Sequence, residues 1–518
     1  MILADPQGKT PVPGIGGRAT LDELFRRTAA RRPDAIALID PPNREAFTDG
    51  APCRLTYAQA DRTIAAIAGR LRRIGLPTDA IVGLQLANTV DSVLALLAVL
   101  RAGLIVMPMP LLWRHADAVN ALGRVGANAL IVHGRIGAAD HAETALKVAS
   151  EVFAIRFVCG FGPALPDGVI TLDDLPGAGE IDPIPPLERE RTPGPGSHIA
   201  LITWDVSADG LVPVARNHSE VIAGGLATLL ESRLEADPLI LSTLTMSTFA
   251  GLAVSLVPWL LIGGTLALHH PFDPEVFDAQ REALRPSTVV VPGPLVAQFA
   301  EADQFDAADG IRRVLGLWRA PERLPRARIW RDGAASLIDV QAFGETGLIA
   351  TRRGPNGMPV AIPFGPISAP RGSPGALIVG EVRRTPQGTV GLRGAMVPRC
   401  AFPPGAERSS LPAFKVMPDG FADTGYTCRI GQGMLMSVSG PPPGLISVGG
   451  YRFVARSLQD AVGKVASGGT LAALPDALAG HRLAGTAADH EHIQEALIRS
   501  GVNPLLVGAF RDGRRSAA

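Results

Sequence analysis

The stretch that decides the fold is residues 55–109, LTYAQADRTIAAIAGRLRRIGLPTDAIVGLQLANTVDSVLALLAVLRAGLIVMPM. Thr56-Tyr57-Ala58-Gln59 has the spacing of a capping box, in which hydroxyl and amide side chains satisfy each other's orphan backbone N–H groups. It predicts a helix whose apolar positions Ile64, Ile67, Ala68, Leu71 and Ile74 recur at helical spacing, stopped by Gly75. AIVGLQLAN reads as a buried strand. Asn88 or Thr89 then caps VDSVLALLAVLRAG, a helix ended by Gly103. LIVMPM is the next strand. Strand and helix signals in strict alternation predict an α/β layer architecture with a largely parallel sheet.

The same alternation extends outward. Thr20-Leu21-Asp22-Glu23 predicts a second capping box, opening LDELFRRTAARRP, with DAIALID as a strand. HADAVNALGRVG (helix) and ALIVHG (strand) follow the deciding stretch. Residues 160–197, rich in Pro, Gly and acid, predict a long surface connection. HIALITWD is a strand expected to run into a loop, VSADGLVPVARNH. Residues 238–272 contain no Asp, Glu, Lys or Arg. LAVSLVPWLLIGGTLAL is about as long as a bilayer crossing, but Pro258, Gly263-Gly264 and the polar STLTMST run favour a buried helix followed by a buried strand. Residues 365–435 lose the helical period and predict a β-rich subdomain. GPPPG at 440–444 is a break. The expected organisation is a large domain over 1–440 and a small, shortened α/β domain over 445–518.

Composition bounds the function. The chain has 518 residues, 47% apolar and 19% charged, with 49 basic residues against 49 acidic. A general nucleic-acid binder would carry a basic excess, and a disordered chain would be less apolar and more highly charged. Only Lys9, Lys147, Lys415 and Lys464 are lysines, so any mechanism that needs one has four candidates. Cys53, Cys159, Cys400 and Cys428 are scattered and lack CxxC spacing, which fits a reducing compartment. The first residues lack a signal-peptide layout. The expectation is a cytoplasmic protein with neither a membrane span nor a nucleic-acid partner.

Several local patterns carry little. Gly8-Lys9-Thr10 has the ending of a phosphate-binding loop, but Leu3 stands where its first glycine belongs. His490 and His492 are two apart, whereas two ligands on one helix face need a spacing of four; Asp489 reads there as a helix cap. His269-His270 reads as a loop start. The chain has no GxSxG elbow. The tail FRDGRRSAA reads as a solvated basic end.

The blocks ALITWDVSADGLVPVARNH, TFAGLAVSLVPWLLIGGTLALHHPFDPEVF, TVVVPGPLVAQF, DVQAFGETGLI, DGFADTGYTCRIGQGML and GPPPGLISVGGYRF follow the deciding stretch in order. Together, over about residues 20–460, they resemble the AMP-forming acyl-CoA synthetases of the adenylate-forming superfamily. The resemblance implies a large N-terminal domain, a mobile C-terminal cap, and a reaction joining a carboxylate to ATP before CoA displaces AMP. Such chemistry depends on positioning and on neutralising developing charge.

The residues that the family uses for this are largely replaced. Where it has TSGTTGxPKG, this chain has Asp205-Val206-Ser207-Ala208-Asp209-Gly210-Leu211-Val212-Pro213-Val214. The lysine is gone, and Asp205 and Asp209 put negative charge where triphosphate would sit, which reads as a plain surface turn. In Phe343-Gly344-Glu345-Thr346-Gly347, Glu345 stands for the magnesium ligand in one register, and Gly347 takes that place in the other. Tyr426 replaces the aspartate that holds the ribose hydroxyls and is expected to fill that pocket; Asp423 faces the other side of the strand. Pro441 and Gly444 replace the hinge arginine and aspartate. Thr248, with Phe249 and Gly251, stands at the acyl-pocket helix in place of the usual histidine. The C-terminal catalytic lysine is missing.

These losses together point to a binding or regulatory protein on an adenylate-forming scaffold, with an acyl or acyl-CoA ligand, a protein partner or a homo-oligomer as its counterpart. ATP with magnesium, and CoA, enter only if activity is retained. The alternatives are a divergent ligase, an acyltransferase using a pre-activated acyl group, and a structural subunit.

Overall fold

A computed structural model describes residues 19–173, 194–301, 305, 310–326, 329–330, 335–465 and 468–511. The Gly8-Lys9-Thr10 pattern, most of the tail and most of the acidic connection lie outside the described residues.

Two α/β units form the large domain. In the first, strands Ile81–Gln85, Ile105–Pro108, Ala129–His133, Phe157–Phe161 and Val169–Thr171 run parallel. Ile199–Ser207 joins the Ile105–Pro108 side in parallel, and Gly210–Asn217 closes that edge antiparallel. In the second, Ile36–Ile39, Thr265–Leu268, Leu239–Ser242, Thr288–Pro292, Arg313–Trp318 and Ser336–Phe343 are parallel. They are flanked by antiparallel Arg54–Thr56 and Gly347–Arg352.

Helix Val90–Arg101 is buried along its whole length except Arg101, as a helix apolar on every face must be. Its first turn takes its cap from a distance. Thr89 makes no side-chain cap bond; Asp40 Oδ1 accepts the Val90 N–H instead (2.7 Å). Arg44 pairs with both Asp40 and Asp91, so a buried ionic network ties the two α/β units together.

The Thr56–Gln59 capping box is present, opening Tyr57–Arg73. At Thr20 the expectation is half met. Its hydroxyl accepts the Glu23 N–H (3.1 Å), but the Glu23 carboxylate takes Arg27 (2.6 Å). The uncharged stretch folds as strand Leu239–Ser242, successive helical turns Phe249–Ile262 including a π-type turn at Leu252–Leu256, and strand Thr265–Leu268. Gly264, at φ +90, lies against the Pro238 backbone, where a Cβ would collide. Among the described residues no helix is long and apolar enough to cross a membrane.

A six-stranded antiparallel sheet between Ile362 and Gly440 forms the β-rich part. A separate four-stranded antiparallel sheet begins at Leu445. The latter carries helices Ala455–Val465, His490–Arg499 and Pro504–Gly508 over its own core of Leu458, Val462, Ile493, Leu497, Leu506 and Phe510. Asp489 caps the second of these helices, accepting the His492 N–H (2.9 Å).

Candidate functional site

The segment expected to be a loop is a β-hairpin. Ile199–Ser207 and Gly210–Asn217 pair in register from Leu201↔Arg216 to Ser207↔Gly210. Only Ala208 and Asp209 turn, both exposed. The Asp209 N–H donates to Ser207 Oγ (3.3 Å), which donates to the Gly210 carbonyl (3.2 Å). Pro213 is compatible with this strand because the strand is a sheet edge. The two aspartates therefore part: Asp209 sits in the solvated turn and Asp205 turns inward.

Asp205 is held by a cation from the other domain. Its carboxylate pairs with Arg452 of the C-terminal domain, and Oδ2 accepts the Glu345 N–H (2.8 Å). Arg452 stands on Tyr451–Val454, which pairs with Leu445–Val448 across Gly449-Gly450. Both glycines have positive φ (57° and 82°), where side chains are strained. Burial pulls the Arg452 guanidinium down, but Asp205, Tyr426, Glu345 and Glu322 together hold it above its usual range.

Glu345 follows strand Ser336–Phe343 and is buried. One carboxylate oxygen accepts the Phe249 N–H (3.0 Å) and lies 3.8 Å from Arg216 Nη1. Burial pushes the Glu345 carboxyl up, opposed by Arg216; burial brings Arg216 down to about 10. Arg216 also donates to Thr203 Oγ1 (3.4 Å), the Met396 carbonyl (3.4 Å) and the Glu345 carbonyl. Its guanidinium lies 3.9 Å from the Phe249 ring centroid.

The proposed acyl-pocket residues divide. Thr248 caps the helix, accepting the Gly251 N–H (3.2 Å), and receives Arg319 Nη2 (3.1 Å). Gly251 lies against the Thr245 carbonyl, leaving no room for a Cβ. The Phe249 ring is fully buried between Arg216 and Gly224. Tyr426 is 1% exposed. It meets Phe343 edge-on at 5.7 Å and donates to the Arg319 carbonyl (3.3 Å); burial pushes its phenol up to about 12. Asp423, exposed on the other face, accepts from Thr389 Oγ1 (2.7 Å). Pro441 and Gly444 lie between the last strand of the six-stranded sheet and the first of the C-terminal sheet. Pro442 between them packs on Gly425.

A cavity of about 330 Å³ opens between the two domains. Its walls include Trp113, Trp204, Asp117, Thr248, Arg319 and Phe453. Trp113 and Trp204 meet edge-on at 5.7 Å, and among the described residues the buried Trp204 Nε1–H has no hydrogen-bond partner. Burial pushes the Asp117 carboxyl up to about 6 against the pull of the Arg114 N–H. Among the described residues no group of three or more His, Cys, Asp or Glu side chains is placed to hold a metal ion.

Sequence reasoning missed Arg216, Arg319, Arg452 and the Trp113–Trp204 pair. No local signal marks them, because the bonds that tie Arg216 to Glu345, Arg319 to Thr248 and Arg452 to Asp205 span 71 to 247 positions.

The chain has an adenylate-forming enzyme fold. The amide bond synthetase McbA from Marinactinospora thermotolerans superposes with a TM-score of 0.70, covering 94% of each chain at 18% identity. The Mycobacterium smegmatis MbtA apo structure gives 0.64 over 96% of this chain and 93% of that one, at 21% identity. Likenesses at such identities show the fold alone. The family model described as AMP-binding enzyme matches residues 25–366, and the chain belongs to that family. A salicyl-AMP ligase/salicyl-S-ArCP synthetase of Mycobacterium tuberculosis is 27% identical over 243 residues, 46% of this chain and 40% of that protein. A beauvericin nonribosomal cyclodepsipeptide synthetase of Beauveria bassiana is 33% identical over 91 residues, 18% of this chain and 2% of that one. The aligned stretches thus span well under two thirds of these relatives.

Proposed function

We propose that this chain is an adenylate-forming scaffold that has given up ATP-dependent adenylation and serves as a binding or regulatory protein. The observation that carries the reading is the engagement of Asp205: its carboxylate accepts the Glu345 N–H and pairs with Arg452. A triphosphate would meet a carboxylate there and no lysine. Close like charges cost on the order of kcal/mol even near a surface.

The fit to Mg·ATP is poor elsewhere too. The Glu345 carboxylate is engaged by Arg216 and the Phe249 N–H, and a magnesium site needs carboxylate oxygens free to ligate. Tyr426 presents a phenol hydrogen-bonded to backbone where two ribose hydroxyls would need a carboxylate. No step is therefore routed through ATP, magnesium or CoA. The ligand is a small acyl-type molecule in the cavity between the domains, whose volume lies at the low end of the range for ligand pockets, about 300–1,000 Å³. The setting is cytoplasmic, and a carrier or other protein is the natural partner.

The cavity also favours a second reading, an acyltransferase that receives its acyl group already activated. Incubating purified chain with a panel of carboxylic acids, ATP, magnesium and CoA separates these readings from a ligase. The expected result is no acid-dependent AMP. Acid-dependent AMP release would overturn the proposal, and acyl transfer from acyl-CoA without ATP would select the second reading.

A further inference from the structure

The contacts of Arg452 suggest a role separate from the loss of nucleotide chemistry. Its guanidinium reaches across the domain boundary and is largely buried, at 12% exposure against 15% for the Asp205 carboxylate. Three features converge on it. Asp205 supplies the countercharge while its other oxygen holds the Glu345 N–H (2.8 Å). The Tyr426 ring lies 5.9 Å away on a third side. Gly344, at φ +58, supplies the space: a Cβ there would strike both Arg452 Nη2 and Asp205 Oδ2. A side chain at 344 would have to displace the ends of both partners.

The same orientation is held elsewhere. Arg323 of the large domain donates to the carbonyls of Asp476 (3.3 Å), Ala477 and Leu478 (3.3 Å) in the C-terminal sheet. The Ala116 N–H donates to the Gly501 carbonyl (3.4 Å). Between these anchors, the triple proline of 441–443 joins the sheets by a stiff connection. Removing one partner from a buried pair leaves an uncompensated charge and is strongly destabilising. Rotating the C-terminal domain away would separate Asp205 from Arg452 and break these anchors with it.

We infer that Asp205 and Arg452 form a latch across the domain boundary, which fixes the C-terminal domain in one orientation and sets the Arg452 side chain in the wall of the cavity between the domains. The cavity between the domains is a property of the latched state. Whatever fills it is coupled to latch closure, since a ligand that binds one state better shifts the population toward that state.

Hydrogen exchange measured by mass spectrometry on the full chain tests this, comparing wild type with Asp205→Asn, Arg452→Gln and the double variant. Asp205→Asn can keep one oxygen for the Glu345 N–H, removes the charge and turns an NH2 group toward Arg452. The latch predicts that each single variant speeds exchange by about tenfold or more in peptides spanning 199–217, 343–347 and 445–454. The double variant should add little to either single one. Strands Leu239–Ser242 and Thr288–Pro292 should keep wild-type protection. Unchanged exchange in the three segments would overturn the latch. So would a loss of protection that spreads to the two core strands, because the pair would then be a folding element of the whole domain. Exchange reports the latch whether or not the wild type binds Mg·ATP, so failure of the proposed function and failure of the latch are read separately.

Discussion

Glu345→Gln is the sharpest test of what the one surviving acidic position in the FGETG segment does. The glutamine keeps an oxygen for the Phe249 N–H, which Glu345 accepts at 3.0 Å, so the helix start is preserved. The charge facing Arg216 at 3.8 Å is lost, and an NH2 group takes the place of the second carboxylate oxygen. Arg216 has no side-chain exposure. Stripping the partner from a buried pair costs about 3–5 kcal/mol. Here the three remaining acceptors of Arg216 and the Phe249 ring at 3.9 Å offset part of that, since a desolvated cation–π contact is worth about 2 kcal/mol. The expected loss is therefore about 2–3 kcal/mol, at or below the low end of the range for breaking a buried pair. Urea unfolding followed by tryptophan fluorescence reads it, with Arg216→Met and the double variant completing a cycle. The coupling between the two sites should be about 1–3 kcal/mol. A loss under about 1 kcal/mol with additive single effects would refute the structural role. Stabilisation of wild type by magnesium, absent in Glu345→Gln, would restore the metal-ligand reading.

Three further outcomes follow. Phe249→Ala empties a fully buried site between Arg216 and Gly224 and should cost about 3–5 kcal/mol in the same unfolding assay; a loss below about 1 kcal/mol would mean the site collapses or is not packed as described. Asp117 binds its proton more tightly folded than unfolded, so its contribution is complete below about pH 3.8 and is lost as pH rises through about 6. Asp117→Asn should remove about 1–3 kcal/mol of pH dependence from that window, read as melting temperature against pH, and an unchanged slope would contradict the burial of this carboxyl. His270 shows the opposite sign: burial lowers its imidazole to about 4, so the unfolded state gains protons first and stability falls as pH drops from about 6.5 toward 4. His270→Asn should flatten that fall in the same melting series, and an unaltered profile would count against it.

The parts of the structure legible in the sequence are those fixed by neighbours in the chain. The Thr56–Gln59 capping box, the Gly75 and Gly103 stops and the break at 440–444 each depend on residues within a few positions. The wholly apolar Val90–Leu100 stretch also announces its own burial. The hairpin was illegible for a specific reason. Its second strand carries Pro213, which argues against a central strand, and only the sheet order makes it an edge. Judged in isolation, Asp205 is a charge that repels phosphate. Its meaning comes from Arg452, 247 positions away, and from the absence of a Cβ at Gly344. Asn88 or Thr89 reads as the cap of helix Val90–Arg101; Thr89 holds the N-cap position, but the side-chain bond comes from Asp40, next to another sheet. Long-range charge pairing leaves no periodicity to read.

The measurement that bears most directly on the central claim is calorimetric titration of the purified full chain with Mg·ATP, then with AMP. With Asp205 engaged by Arg452, Glu345 by Arg216, and Tyr426 buried against Phe343, the account predicts no binding of either nucleotide at millimolar concentration. Saturable binding of Mg·ATP with micromolar affinity would contradict it and return the chain to the working ligases of its family.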